Sequence, residues 1–164
     1  MSKADLEKLT AQFPGAIIAS HSRHGDDTAV IRIADFPAVM AWLKGEAGFD
    51  FLVDVTAVDY LGRDLRFEVV YHLRSMQTGS RLRITLQVGQ IEDGPAPEVP
   101  SVVALWPSAN WAEREVYDMY GIKFADHPDL RRILMYEEFI GHPLRKDYPK
   151  EKRQPLIRRD YSIT

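Results

Sequence analysis

Two neighbouring stretches in the middle of the chain alternate apolar and polar residues, and this pattern constrains the fold more than any other. In residues 67–73 the odd-numbered positions are apolar, and in residues 81–88 the even-numbered positions are. Side chains of a strand point alternately to the two faces of a sheet, so the pattern predicts two antiparallel strands with one face buried. The link at 75–80 is predicted to be a hairpin loop.

The rest of the chain predicts a mixed α+β fold. Apolar residues at helical spacing predict one helix that ends at Pro14, one that begins at Asp35 and one that ends at Gly121. Shorter patterns predict strands at 16–20, 28–33 and 51–58, an irregular segment at 94–100 and a short helix at 101–106. In the third of these strands Phe51, Val53, Val55 and Ala57 are predicted to share one face. The expected architecture is a mainly antiparallel mixed sheet with helices packed on one face and an extended C-terminal arm.

The C-terminal part shows no sustained periodicity, so the domain prediction is a globular body at 1–124 and an arm at 125–164. The arm holds apolar and aromatic residues without a face of its own, and it must therefore pack on its own body or on another subunit. Residues 141–164 contain seven basic and three acidic residues, a net charge of +4, so the total of −3 leaves −7 on the other 140 residues. An acidic body with a basic tail is not typical of a nucleic-acid-binding protein, and it suits an arm that lies on an acidic partner.

Several kinds of site are excluded by residues that the sequence lacks. There are no cysteines, which excludes disulfides, thiolate nucleophiles and iron–sulfur clusters held by this chain alone. No nucleotide-binding glycine loop occurs, and no apolar run is long enough to span a membrane. His21 and His24, in a predicted polar turn, are interpreted as solvated residues, with a metal site as the weaker alternative. The first ten residues lack the apolar core of a signal peptide, so export is not expected.

The predicted helix before Gly121 has two faces. Asn110 is predicted to be its N-cap, with Glu113 as a capping-box acid. Spacing places Ala112, Val116, Met119 and Tyr120 towards the core, and Glu113, Arg114, Tyr117 and Asp118 on the opposite face. An ion pair between Arg114 and Asp118, four residues apart, is the expected structural role of these charges. The alternative is an acid–base site of Glu113, Glu115 and Asp118 with His127, in which Asp118 orients His127 or shares a proton with Glu115.

The helix and the segment after it resemble one family signature. Its elements are Glu113-Arg114-Glu115, Asp118 followed by two bulky apolar residues, His127, Arg131 and the pair Ile133-Leu134, and the segment 141–149 extends it. The pattern resembles the 30-kDa-type subunit of the proton-pumping NADH–quinone oxidoreductase, respiratory complex I. The same family has relatives in membrane-bound nickel–iron hydrogenases.

The resemblance implies a non-catalytic scaffold subunit in the hydrophilic arm of that complex, which couples electron transfer from NADH to quinone with proton translocation. By this resemblance the chain binds no cofactor and no metal and has no activity alone, while FMN and iron–sulfur clusters lie in partner subunits. The implied partners are the quinone-site subunit and the iron–sulfur subunits, at the cytoplasmic side of the inner (plasma) membrane. Residues implied to be structural or interfacial, none of them catalytic, are Glu113, Arg114, Glu115, Asp118, His127, Arg131, Arg132 and Arg145.

Two alternatives stay open at this point. One is the homologous subunit of a membrane-bound nickel–iron hydrogenase, since the electron-donor site would lie in another chain. The other is a free-standing acid–base enzyme that uses Asp118 and His127.

Overall fold

A five-stranded mixed sheet forms the centre of the protein. The structure, a computed structural model, describes residues 3–89 and 96–155. The strands are β1 (Ile17–Arg23), β2 (Asp26–Ile31), β3 (Phe51–Asp59), β4 (Phe67–Arg74) and β5 (Arg81–Val88), in the spatial order β1-β2-β5-β4-β3. Neighbouring strands are antiparallel except β2 and β5, which are parallel. The prediction of a mainly antiparallel mixed sheet is therefore confirmed.

Within the described part of the chain, three helices pack on the apolar face of this sheet, and the prediction of helices on one face is confirmed. They are α1 (Lys3–Gln12), α2 (Phe36–Gly45), which follows a 3₁₀ turn at Ile33–Asp35, and α3 (Ala109–Tyr120). The odd-numbered residues of β4 and the even-numbered residues of β5 are buried in one core with the apolar side of α2. No helix among residues 3–89 and 96–155 is long and apolar enough to cross a membrane.

Strand β3 begins with a β-bulge that changes the predicted face of its first residues. The register with β4 shifts between Leu52 and Asp54. Leu52 and Val55 are therefore buried together, whereas Phe51 and Val53 are 46% and 54% exposed. A bulge inserts one residue that has no partner, which reverses the alternation from there on. The prediction that Phe51 and Val53 share the face of Val55 and Ala57 is wrong for this reason.

The segments on either side of α3 also differ from the prediction. Residues 98–100, predicted to be irregular, form strand β6 (Glu98–Pro100), which pairs in parallel with β7 (Lys123–Ala125). Each strand has three residues, which is too short to show an alternating pattern. Residues 101–106 form a turn and not a helix, and Trp106 at its end donates a hydrogen bond from Nε1 to the buried Phe49 carbonyl at 3.2 Å. Residues 96 and 97 have no regular secondary structure, as predicted, and residues 94 and 95 lie outside the described residues.

Strand β1 is longer than predicted, and this places the two N-terminal histidines differently. His21 lies within β1, opposite Thr28 of β2. The turn is confined to His24 and Gly25, both of which have positive φ angles. His21 is therefore a strand residue and not a turn residue.

Candidate functional site

The carboxylate of Asp118 joins α3 to the arm. Its side chain is fully buried, and Oδ2 accepts hydrogen bonds from the consecutive backbone N–H groups of Ile133, Leu134 and Met135 at 2.8–3.1 Å. Oδ1 accepts a hydrogen bond from the Arg132 guanidinium at 2.7 Å. Burial alone would raise the pKa of Asp118, but these hydrogen bonds outweigh burial and hold the pKa below its usual value. The carboxylate is therefore charged at neutral pH and fixes the path of the arm.

Arg132 links two parts of the arm across this carboxylate. Besides Asp118, its guanidinium donates to the Gly141 carbonyl at 3.0 Å. It also lies over the ring of Phe139, 5.8 Å from the centroid. The two adjacent arginines therefore have different environments. Arg132 is held at the junction, while Arg131 is exposed and forms an ion pair with Asp129 at 2.9 Å.

Arg114 binds the arm as well, and it does not form the predicted pair with Asp118. Its Nε donates to the Arg131 carbonyl at 3.1 Å, and its guanidinium stacks over the ring of Trp111 at 5.4 Å. Helical spacing brings Arg114 and Asp118 onto neighbouring positions, but each finds stronger partners in residues that follow the helix. The ion-pair prediction is wrong because a helical pattern contains no information about those partners.

Glu113 points into the protein and not to solvent. Its side chain is fully buried, and it accepts hydrogen bonds from Ser101 Oγ at 2.6 Å and from the Val102 N–H at 2.8 Å. Burial raises the pKa of Glu113 to about 7. The helix itself begins at Ala109 without a side-chain cap. The capping-box prediction, with Asn110 as N-cap, is therefore wrong. Glu113 instead accepts hydrogen bonds from the turn that precedes the helix.

His127 connects the first turn of the arm to the start of α3. Its Nδ1 accepts a hydrogen bond from the Asp129 N–H at 3.0 Å, which leaves Nε2 to donate to the Asn110 carbonyl at 3.2 Å. Within the described residues His127 and Asp118 share no hydrogen bond. The geometry of an acid–base pair is thus absent between them.

His142 covers the C-terminal end of α3. Its Nδ1 donates to the Asp118 carbonyl at 2.9 Å, and the Leu144 N–H donates to the Met119 carbonyl at 3.1 Å. Gly121 ends the helix in the left-handed region, with φ of 78°, as predicted. A Cβ atom at Gly121 would lie 2.6 Å from Nε2 of His142, so this histidine can reach the helix end only over a glycine.

A cluster of four charged residues fastens the arm to the sheet at the end where β3 finishes and β4 begins. Arg66 donates to Asp59 at 2.7 Å and to Asp147 at 2.9 Å, and Arg145 pairs with Asp147 at 3.1 Å. The Lys146 N–H also donates to Asp59 at 2.8 Å. Hydrogen bonds from Arg66 and then Arg145 lower the pKa of Asp147 well below its usual range. Of these residues only Arg145 is predicted from the sequence to have a structural or interfacial role. No local pattern relates Asp59 or Arg66 to a segment more than 80 residues away.

The outer surface of the arm is apolar in several places. None of the described residues 125–155 is buried. Large apolar side chains that are more than half exposed lie on the arm and on the adjoining side of α3, and they are Trp111, Leu134, Ile140 and Leu144. Glu115 of α3 and Arg131 of the arm are exposed as well. Exposed apolar groups of this kind mark an interaction surface when they occur together.

A family model and individual relatives place this chain in the same protein family. Residues 29–154 match the family model described as "Respiratory-chain NADH dehydrogenase, 30 Kd subunit". The chain is 46% identical over 142 residues to an NADH-quinone oxidoreductase subunit of Geotalea uraniireducens, covering 87% of this chain and 84% of that one. It is 49% identical over 146 residues to the corresponding NADH-quinone oxidoreductase subunit of a Roseiflexus species, covering 88% and 82%.

Two solved structures share the fold. One is described as Nqo5 of a trypsin-resistant fragment (1–134), with a TM-score of 0.67 and 37% identity over 78% of this chain and 98% of that one. The other is a chain of the membrane-bound sulfane sulfur reductase, an archaeal respiratory membrane complex, with a TM-score of 0.73 over 92% and 86% of the two chains. Its identity of 24% establishes likeness of fold alone.

Proposed function

Because this chain belongs to the 30-kDa subunit family of respiratory-chain NADH dehydrogenases, we propose that it is the non-catalytic scaffold subunit of an NADH–quinone oxidoreductase. The observation that carries the proposal is the junction at Asp118. A buried carboxylate of α3 fixes the path of the arm, and several apolar side chains of the arm are exposed on its outer surface. A rigid, outward-facing arm suits a subunit whose task is to hold others in place.

The partners follow from the family and from the chemistry of the chain. The body, residues 1–124, would support the arm, residues 125–164, against the quinone-site subunit, and the same surface would brace the iron–sulfur subunits. FMN and the clusters would reside in those partners, since the sequence offers no cysteine thiolate for a cluster. The complex would place this chain peripherally, at the cytoplasmic side of the inner (plasma) membrane.

The proposed contact surface has an apolar centre and a charged rim. Trp111, 68% exposed, and Ile140, 71% exposed, supply large apolar area, and tryptophan is enriched among residues that dominate binding energy. Glu115 and Arg131, both exposed, are assigned to the rim of this surface, where charges contribute to specificity more than to affinity.

The test is recovery of the tagged chain from its native membranes, with the accompanying proteins identified by mass. We expect the wild-type chain to bring down flavin and iron–sulfur subunits with NADH–quinone activity, while the chain alone shows no turnover. Trp111→Ala should recover fewer partner subunits without loss of folding, because the side chain is exposed. Leu61→Ala, which truncates a side chain 54% exposed in a loop outside this surface, is the matched control and should behave as wild type.

Two results would redirect the proposal. Recovery of a nickel–iron subunit would assign the chain to the hydrogenase relatives, an alternative kept because the fold also occurs in another respiratory membrane complex. Recovery of the chain without any partner, under conditions that preserve such complexes, would contradict the scaffold role.

A further inference from the structure

A cationic cleft lies at the end of the sheet opposite the arm. The cleft is a cavity of about 380 Å³ where the end of β4 meets the starts of β5 and β2. Its charged lining consists of Arg74, Arg81, Arg83, His72, Asp26 and Asp27. Arg66, which holds the arm, precedes the first residue of β4, whereas Arg74 is the last residue of that strand. The cleft therefore lies at the other end of β4 from the charged cluster that fastens the arm.

Two arginines in the cleft lie side by side and form no ion pair with the aspartates of its lining. Arg74 and Arg81 are directly opposite in the register of β4 and β5, so their side chains leave the same face of the sheet. Like charges in this position destabilise a strand pair. Within residues 3–89 and 96–155 neither arginine forms an ion pair, and Nε of Arg74 is enclosed without a hydrogen-bond acceptor. By contrast, Arg83 lies 3.5 Å from Asp26 and has a local partner.

The charge balance of the cleft suits a single carboxylate. The three arginines and two aspartates of the lining leave one positive charge in excess. His72 adds none at neutral pH, because burial and the neighbouring Arg83 lower the pKa of its imidazole. A dianion such as phosphate would be repelled by Asp26 and Asp27, whereas one carboxylate matches both the excess charge and the planar fork of a guanidinium.

Apolar side chains beside the cleft indicate that the carboxylate belongs to a protein. Val53 lines the cleft and is 54% exposed, and Phe51, opposite Arg74 in the register, is 46% exposed. Met76, two residues beyond Arg74, is 62% exposed, and its N–H is held by Asp50 at 2.8 Å. Exposed apolar residues around an unneutralised charge are typical of a protein interface, and a free anion would leave them in water.

We propose that this cationic cleft is a second docking site, which receives an aspartate or glutamate side chain of a neighbouring subunit between Arg74 and Arg81. This inference rests on the proposed scaffold function, because it takes the neighbour from the same complex. A site at each end of the sheet would let the subunit hold two partners at once, one on the arm and one on the cleft.

A photo-crosslinking residue at position 76, in the tagged chain within the native complex, tests the proposal. We expect an adduct with a peptide of another subunit that contains an acidic residue. Replacing both cleft arginines, Arg74→Gln with Arg81→Gln, should lower the adduct yield roughly tenfold, as the loss of a charge pair in an interface implies. Arg63→Gln, which removes an exposed arginine near the other end of the sheet, is the matched control and should leave the yield unchanged.

The lysine variants, Arg74→Lys with Arg81→Lys, keep the charge and should retain most of the adduct even if the glutamine pair impairs folding. An adduct yield that is the same in the glutamine pair and in wild type would overturn the inference, as would a complete absence of adducts in an intact complex. If the wild-type chain recovered no partner subunit at all, the proposed function itself would fail. The two failures are thus distinguishable by whether the wild-type complex is recovered.

Discussion

Among single residues, Asp118 offers the sharpest test of the junction between α3 and the arm. In Asp118→Asn the amide keeps the shape of the side chain. Its NH₂ group, however, places two N–H donors in a site where four hydrogen-bond donors already point at the side chain. We expect the free energy of unfolding to fall by about 3 kcal/mol, the usual cost of breaking a buried charged arrangement. Denaturant titration followed by circular dichroism measures it.

Glu115→Gln is the control for this experiment. Glu115 lies on the same helix and is exposed, so its substitution should change stability by less than about 0.5 kcal/mol. Equal stability of Asp118→Asn and wild type would mean that the arm does not depend on this carboxylate.

Glu113 should make the stability of the protein depend on pH. Its pKa is 4.5 in a model peptide and about 7 in the folded chain, so the unfolded chain releases the proton first as pH rises. The free energy of unfolding contributed by this group is therefore present below pH 4.5 and is lost by pH 7, a change on the order of 3 kcal/mol. Glu113→Gln should lack this change, because the amide does not titrate.

The measurement compares the two proteins across pH 4.5 to 7 by denaturant titration. His72 and His142, whose pKa values are lowered by burial, titrate in both proteins and cancel in the difference. Parallel curves for wild type and Glu113→Gln would show that the carboxyl titrates normally in the folded chain.

The orientation of the charged residues of α3 could not be predicted from the sequence. The signature names Glu113, Arg114 and Asp118, and polarity placed all three on the solvent side of the helix, whereas the structure buries them. They point inward because residues 101–102 and 132–135 supply donors to the two carboxylates, and carbonyls 131 and 132 accept from the arginine. Those partners lie outside the helix, so a helical pattern alone does not reveal them.

Among the helices and strands, the C-terminal end of α3 is where a single added carbon atom should lower stability most. Gly121→Ala would add a Cβ atom 2.6 Å from the His142 ring at a residue with a left-handed backbone. We expect the free energy of unfolding to fall by at least about 1 kcal/mol and the arm to leave the helix end. Limited proteolysis should then cut within residues 126–155 faster than in wild type.

Gly45→Ala is the matched control, since a Cβ atom there meets nothing within 4 Å and the residue ends α2 with an ordinary backbone. It should raise stability by about 0.5 kcal/mol and leave proteolysis of the arm unchanged. If both alanine variants behaved alike, the contact between Gly121 and His142 would not hold the arm.

Strands with clean alternation were predictable, and those that depend on distant partners were not. Residues 67–73 and 81–88 form β4 and β5 because each apolar face is long enough to set the register. The bulge at Val53 and the three-residue strands β6 and β7 arise from pairing with other segments, so no local pattern marks them.

For the whole molecule, the arm should be dispensable for folding and required for assembly. Deleting residues 141–164 removes Asp147 and the Lys146 N–H, but the pair between Arg66 and Asp59 remains within the body. Among residues 3–89 and 96–155, every buried apolar residue lies before position 125. We therefore expect a folded, less stable chain that recovers few partner subunits, as judged by circular dichroism and the affinity experiment.

A shorter deletion, of residues 156–164, keeps the junction and separates the role of the last residues from that of the charged cluster. Loss of secondary structure in the longer deletion would mean that residues 141–155 belong to the packing of the body.

The parallel pairing of β2 with β5 has a consequence for the order of folding. The contacts β1 to β2, β3 to β4 and β4 to β5 are local, whereas Thr28 finds its partner Arg83 only after two other strands have been made. Closing a loop of that length is the entropically slow step, so the two hairpin units should join last. On the ribosome the first hairpin must wait with an open edge until β5 emerges. Pulse-labelled hydrogen exchange should accordingly find the amides between β4 and β5 protected before those of β2 that face β5.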